Sequence, residues 1–334
     1  MFKVGIIGCG RIASSYEKDK KAQRYYPYLT HAGTYFKHKK TRIVSAADPD
    51  NRKLSAFEKM WGEKALFRDY RKMLSEVSLD IVSICTPPVE RVEMFEHVVR
   101  SGVGGLLCEK PAARTRQELI RLIEIAEENG TKVNVNCYRQ FDPSHRKIKD
   151  LISGGRIGSI QHVHCYYGKG IFNQGTHLIA YLLYLFGLPR SIATLSSAKQ
   201  KNIPEPTYNF VLIFDNELMC SVMAVDYNPY RIFEIDIIGM HGRILIYDEG
   251  LKFQFYRVVP NHAESGAKAI IPSKRKFKST IGNSLFYAVD NLVKSVEGND
   301  EPLFDLRAYG EVHHVIETIE KSHKEGSSWI NLQY

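Results

Sequence analysis

The chain has 334 residues, 44% of them hydrophobic and 25% charged, with a net charge of +9. That length exceeds what one core organises, so two domains are expected, and the composition is that of an ordinary globular protein. No apolar run approaches the ~20 residues of a membrane helix, and the opening MFKVGIIGCG has no basic lead and is broken by glycines, so it reads as a strand in a cytoplasmic protein with no membrane partner.

Through about residue 130, short β-branched runs alternate with helical stretches, the pattern of a doubly wound parallel sheet (an α/β domain). Strands are predicted at Lys3–Gly8, Arg42–Asp48, Ile81–Thr86, Gly105–Glu109 and Lys132–Cys137. Helices are predicted at His31–Lys39, Arg52–Trp61, Tyr70–Ser75, Arg91–Ser101 and Arg116–Asn129. The polar, basic and aromatic segment Tyr16–Tyr28 reads as an insertion. After about residue 142 the texture changes. A helix at Pro143–Ser153 leads into strands at Gln161–Tyr167, Ser191–Ala198, Tyr208–Phe214, Glu217–Val225, Phe233–Ile238, Arg243–Tyr247 and Leu251–Val258. One helix at Gly175–Phe186 interrupts them, and another at Arg307–Glu325 closes the chain. This predicts an α+β C-terminal domain with a large open, mostly antiparallel sheet, and domain limits of 1–137 and 138–334.

Cys9, Cys85, Cys108, Cys137, Cys165 and Cys220 form no CxxC pair and read as free thiols in a reducing compartment, not as a disulfide framework or zinc site. The histidines show no ligand spacing either. His162 and His164, alternating along one strand, read as ordinary strand residues, and no metal is expected. Basic residues cluster at Lys18, Lys20, Lys21 and Arg24, at Lys37, Lys39, Lys40 and Arg42, and at Lys274, Arg275, Lys276 and Lys278. These suit a solvated surface or attraction of an anionic ligand. No nucleic-acid partner is expected, because no recognition motif accompanies the charge.

Gly8-Cys9-Gly10-Arg11-Ile12-Ala13 is a GxGxxA motif directly after an apolar strand and opening a helix, whose N-terminal amides are expected to face the phosphates. Gly8 permits the tight turn, Gly10 lets the backbone approach a pyrophosphate, and Ala13 allows close helix–sheet packing. Asp48, at the end of the second strand, is placed to accept hydrogen bonds from an adenosine ribose. It lies 38 residues after Gly10 instead of the usual ~20, and the insertion accounts for the excess. A carboxylate there repels a 2′-phosphate, so NAD(H) is favoured over NADP(H); the nearby Arg52 leaves NADP(H) open. Thr86 and Pro87, after the next strand, form a rigid cofactor-side wall.

Glu109-Lys110-Pro111 follows another buried strand. Pro111 bars helical geometry at Lys110, and an ammonium at a strand's carboxyl end suits stabilisation of a developing alkoxide. GxGxxA, the strand-end Asp, Thr-Pro-Pro and Cys-Glu-Lys-Pro, in this order, resemble the Gfo/Idh/MocA oxidoreductases, the family of glucose–fructose oxidoreductase and inositol dehydrogenase. The resemblance continues through Tyr138-Arg139-Gln140-Phe141-Asp142-Pro143 and reaches the C-terminal helix. It implies an N-terminal Rossmann domain, a catalytic Lys110 with Glu109 at the cofactor, and a C-terminal sheet that packs as a homodimer or homotetramer.

The family's last motif, Asp, then His four residues on, then a second Asp, falls on Asn173-Gln174-Gly175-Thr176-His177-Leu178-Ile179-Ala180. His177 matches, while Asn173 and Ala180 replace the acids. Asn173 and His177 are expected on one helix face. Asn cannot raise the imidazole's pKa as a carboxylate would, and a helix N-terminus disfavours its cation. A neutral His177 would then accept the substrate's hydroxyl proton. The Asn-Xaa-Gly-Thr-His variant is similar to members linked to surface-polysaccharide sugar biosynthesis. Leu178, Leu182, Leu185 and Phe186 are expected as the buried stripe, with Tyr166, Tyr167 and Lys169 at the pocket edge.

The expected function is hydride transfer between a nicotinamide cofactor and a hydroxyl or keto carbon of a sugar, nucleotide-sugar or cyclitol. Lys110 and His177 are expected to be catalytic, and Tyr138, Arg139, Asn173 and Lys169 to hold the substrate. The alternative is a non-catalytic NAD-binding regulator whose site has decayed.

Overall fold

In the first unit, residues 1–142 with 282–310, the β-branched runs form a six-stranded parallel sheet of order β3-β2-β1-β4-β5-β6. The strands are β1 (Phe2–Ile7), β2 (Thr41–Ala47), β3 (Ala65–Phe67), β4 (Ile81–Ile84), β5 (Gly105–Cys108) and β6 (Lys132–Val135). Helices α1 (Lys20–Gln23), α2 (His31–Lys37), α3 (Asn51–Trp61), α4 (Tyr70–Glu76), α5 (Arg91–Arg100) and α6 (Arg116–Glu128) connect them. Every residue of β4 and β5 is buried, as expected of parallel strands covered on both faces. Side-chain caps start the helices: Asp50 for α3, Asp69 for α4, and a reciprocal Thr115–Glu118 box for α6. The computed structural model describes residues 1–274 and 277–332; Arg275 and Lys276 of the third basic cluster lie outside the described residues.

The second unit, residues 143–281 with 311–334, opens with α7 (Pro143–Ser153), β7 (Ile160–Tyr167) and α8 (Thr176–Phe186). There follow β8 (Ser191–Ala198), β9 (Thr207–Ile213), β10 (Met219–Ala224), β11 (Phe233–Gly239), β12 (Gly242–Tyr247), β13 (Lys252–Pro260), β14 (Lys268–Pro272) and β15 (Ile330–Asn331). They form one sheet of order β14-β13-β12-β11-β7-β10-β9-β8-β15, antiparallel except for the β7–β10 pair. Alternation along β7 buries Val163, Cys165 and Tyr167 and turns His162, His164 and Tyr166 to the other face. The hydroxyl of Ser221 on β10 bonds both histidines, at 3.1 and 2.7 Å. All six cysteines are free and buried.

The first unit is discontinuous in sequence, unlike the expected break at residue 137. Helix α9 (Ser284–Val296) joins it, with Leu285, Ala288, Val289, Leu292 and Val293 buried. Gly105 makes room for this helix, since a Cβ there would meet Val296 at 2.7 Å and Leu292 at 3.3 Å. The amide of Asn134 on β6 donates to the Ala288 carbonyl (3.2 Å) and to Asn291 Oδ1 (2.9 Å). The unit boundary falls inside the last helix, α10 (Leu306–Lys324), after Gly310. Strands β3, β14 and β15 are short or lie among charged residues and lack a clear alternating pattern. Helix α8 is buried nearly all round and not along one stripe; Ile179, Ala180 and Leu183 are buried too. Among the described residues no helix is long and apolar enough to cross a membrane.

Candidate functional site

In the first unit the chain turns after β1 at Gly8, where φ is +88° and a Cβ would lie 3.0 Å from the Thr86 methyl. Glycine alone takes this position without strain. At Gly10 the reverse holds. Nothing lies within 4 Å of where a Cβ would be, so the backbone is bare. Ala13 is fully buried, and its carbonyl accepts the Ala32 N–H at 2.9 Å. A tight turn, a bare backbone and a small buried residue fit a pyrophosphate laid on this loop.

The helix expected at Ala13 does not form there. The N–H groups of Ser14 and Ser15 both donate to the Gly10 carbonyl, at 3.0 and 3.3 Å, and a 3-10 turn at Ser15–Lys18 leads into the insertion. The exposed Arg11 guanidinium stacks 4.2 Å above the Tyr16 ring, and the Ile12 carbonyl accepts the His31 N–H at 3.2 Å. The insertion is anchored at Glu17, whose carboxylate accepts from the Thr30 hydroxyl (3.0 Å) and the Lys37 ammonium (3.1 Å). Thr30 in turn caps α2 by accepting the Gly33 N–H.

Asp48 follows β2 and is 4% exposed. Its Oδ2 accepts the Cys9 N–H and its Oδ1 the Asp50 N–H, both at 2.9 Å. The carboxylate therefore braces the glycine turn from below. Its neighbouring cation is Lys53, at 3.6 Å. Arg52, the cation singled out from sequence spacing, is 92% exposed and bound to Asp50.

Glu109 and Lys110 follow β5, with a cis bond between Lys110 and Pro111. Glu109 Oε1 is held by His31 Nε2 at 3.0 Å and by the Asn136 amide at 2.7 Å. Burial pushes the Glu109 carboxyl up. The hydrogen bond and charge of His31, the Asn136 hydrogen bond and the Lys110 charge outweigh burial, and the group ends below its ordinary value. Three residues of this arrangement escape sequence reasoning: His31, Asn136 and Arg91. Arg91 is buried, and its guanidinium donates to the carbonyls of Thr86, Glu109 (2.7 Å) and Pro111. One side chain thus ties the Thr86-Pro87-Pro88 loop to the Glu109-Lys110-Pro111 turn. After β6, Tyr138 and Arg139 lie in a 3-10 turn, with the buried Arg139 guanidinium 4.9 Å from the Tyr138 ring.

In the second unit, Lys169 adopts a left-handed conformation (φ 56°), and a π-helical turn at Gly170–Gly175 precedes α8. Asn173 therefore lies in the wider turn and His177 in the first turn of α8, so they do not share one regular α-helical face. Glu205 helps hold the turn, with its carboxylate accepting the Phe172 N–H at 2.5 Å. Gln174 accepts the Gly168 N–H at 2.7 Å. Single π turns recur at functional sites. Both Asn173 and His177 are half-buried. Lys169 places its ammonium 5.5 Å from the Tyr227 ring centre. Tyr167 is not at a pocket edge. It is fully buried, and its hydroxyl donates to the Tyr208 carbonyl at 2.9 Å. Tyr181 is likewise buried and donates to the His145 carbonyl.

A doubly wound parallel sheet with a glycine turn after β1 and a carboxylate after β2 defines a dinucleotide-binding fold. Residues 2–137 match the model of the GFO_IDH_MocA oxidoreductase family, which describes an NAD-binding Rossmann fold. Inositol 2-dehydrogenase 2 of Saccharopolyspora erythraea is 23% identical over 217 residues, covering 61% of this chain and 60% of that protein. D-glucoside 3-dehydrogenase of Escherichia coli is 25% identical over 160 residues, covering 47% of this chain and 41% of that one. The chain spans about half the length of the curated relatives it matches. The WlbA dehydrogenase of Bordetella pertussis, solved with NADH and UDP-GlcNAcA, shares the fold over 100% of this chain and 99% of that one, with a TM-score of 0.77 at 20% identity.

Proposed function

We propose that the chain is an NAD(P)-dependent oxidoreductase, using NAD(H) first, that acts on a hydroxyl or keto carbon of a sugar, nucleotide-sugar or cyclitol. The observation that carries this reading is the hydrogen-bonded Glu109 beside Lys110 at the carboxyl end of β5, in a unit whose glycine turn fits a dinucleotide. The activities named for the inositol and glucoside dehydrogenase relatives support the substrate class.

When bound, the nicotinamide supplies or accepts the hydride. Gly8–Ala13 would hold the pyrophosphate and Asp48 the ribose, with Thr86 and Pro87 as a wall. The Lys110 ammonium balances charge developing on the substrate oxygen. His177 accepts the hydroxyl proton. Tyr138, Arg139 and Asn173 orient the substrate, and Lys169 meets an anionic substituent. A test is NADH oxidation by a panel of keto-sugars, with NAD reduction by inositols, free sugars and nucleotide-sugars. Turnover with at least one class is expected. Tight NADH binding without turnover across the panel would make the protein a non-catalytic NAD-binding regulator.

We also assign homo-oligomerisation to the face of the second unit's sheet that carries His164, Tyr166, Ile238 and Leu245. Light scattering should give a dimer or tetramer mass, and Tyr166→Lys with Leu245→Lys should lower it. An unchanged mass in that double variant would remove this face from the interface. Six buried free thiols suit a reducing compartment such as the cytoplasm.

A further inference from the structure

Behind the Glu109-Lys110 turn runs a chain of buried polar groups. The Tyr35 hydroxyl lies 2.8 Å from Ser83 Oγ, which lies 3.1 Å from His31 Nδ1, and His31 Nε2 lies 3.0 Å from Glu109 Oε1. Tyr35, Ser83 and His31 are fully buried, so each donor and acceptor has to be satisfied within the chain. One orientation satisfies the whole chain. An ionised Glu109 accepts only, so His31 Nε2 carries the proton. If Nδ1 is the bare nitrogen, Ser83 donates to it, and Ser83 accepts from the Tyr35 O–H.

We propose that His31 is a positioning residue for the proposed active site. Its Nε2–H holds Glu109 through Oε1 and keeps the carboxylate turned so that the second carboxylate oxygen serves the Lys110 ammonium. This rests on the assignment of Lys110 to the reaction. Both donors, His31 and Asn136, converge on Oε1, which leaves Oε2 for the neighbouring charge. The other titratable groups around Glu109 do not compete for the role. Burial pushes the thiols of Cys108 and Cys137 up to about 12 and that of Cys85 well above its ordinary value. Arg91 is committed to backbone carbonyls. The Thr30 cap and its Glu17 anchor fix where α2 begins, and so where His31 stands.

The test compares His31→Leu with His31→Gln, which keeps an N–H donor. In His31→Leu, burial acts on Glu109 without the His31 hydrogen bond, so Glu109 takes up its proton at higher pH. The acid limb of the kcat/KM profile should rise by about one pH unit and kcat should fall at least tenfold, while the Kd for NADH stays within about threefold. His31→Gln should return the limb most of the way. A second readout does not depend on turnover. With acetic anhydride at pH 8 and mass-spectrometric counting, Lys110 should be acetylated about threefold faster in His31→Leu than in the parent. A fall in kcat and melting temperature with an unmoved acid limb and unchanged Lys110 labelling would reduce His31 to packing and overturn the proposal. If labelling changes but Lys110→Ala keeps full turnover, the assignment of Lys110 to catalysis fails while the coupling of His31 to Lys110 stands.

Discussion

Lys110→Ala is expected to lower kcat by about 10²–10³, the usual cost of removing one preorganised donor to a developing oxyanion. The Kd for NADH should change by less than about threefold, because the glycine turn and Asp48 are untouched. The split between the two constants carries the argument. Lys110 is half-buried at a strand end, between a residue with an ionised carboxylate and a proline. Loss of its ammonium removes charge compensation without opening a cavity in the core, so the melting temperature should move little. Lys110→Arg keeps the charge on a planar fork of different reach and should recover only part of the rate. Steady-state kinetics with fluorescence titration of NADH makes the measurement. Undiminished turnover in Lys110→Ala would remove the residue from the mechanism.

The second large effect is expected from Asp48→Ala. The carboxylate accepts two backbone N–H groups, from Cys9 and Asp50, and deleting it leaves both donors without an acceptor at a cost of about 1–3 kcal/mol each. The melting temperature should therefore fall. If Asp48 also holds the ribose, NADH affinity should drop by about tenfold or more, since hydrogen bonds to a charged acceptor contribute about 1.5–3 kcal/mol. NADPH affinity should drop less, because the repulsion of a 2′-phosphate goes with the carboxylate and Lys53 is freed beside it. Titrating both nucleotides separates the two roles. Lost stability with unchanged discrimination would leave Asp48 as a brace alone.

Much of this architecture is written in local patterns. The GxGxxA turn, the strand-end Asp48, the strands of the parallel sheet and Glu109-Lys110-Pro111 each show in a few adjacent residues, and the structure places them together at the carboxyl ends of the strands. What escaped the sequence depends on partners far along the chain. Arg91 reaches carbonyls 18 and 20 residues on. His31 meets a carboxylate 78 residues away, and no spacing rule marks either. The helix expected after Ala13 is lost because residues 14–30 leave the fold and return through the Glu17–Thr30 contact. The one-face pairing of Asn173 with His177 fails because regular helical spacing was assumed across a wider turn. Helix α9 is not among the predicted elements although its apolar residues recur at helical spacing, and nothing local marks its allegiance to the first unit.

That allegiance bears on how the polypeptide is made. A ribosome releases residues 1–142 well before residue 282 leaves the exit tunnel, and in that interval β5 and β6 lack the helix that covers them. Gly104 and Gly105 carry no side chain to shield the strand, and the amide of Asn134 waits for Ala288 and Asn291. The nascent first unit is thus a sheet with one exposed apolar flank, which other chains or a chaperone can engage. Synthesis of the intervening strands sets how long that exposure lasts.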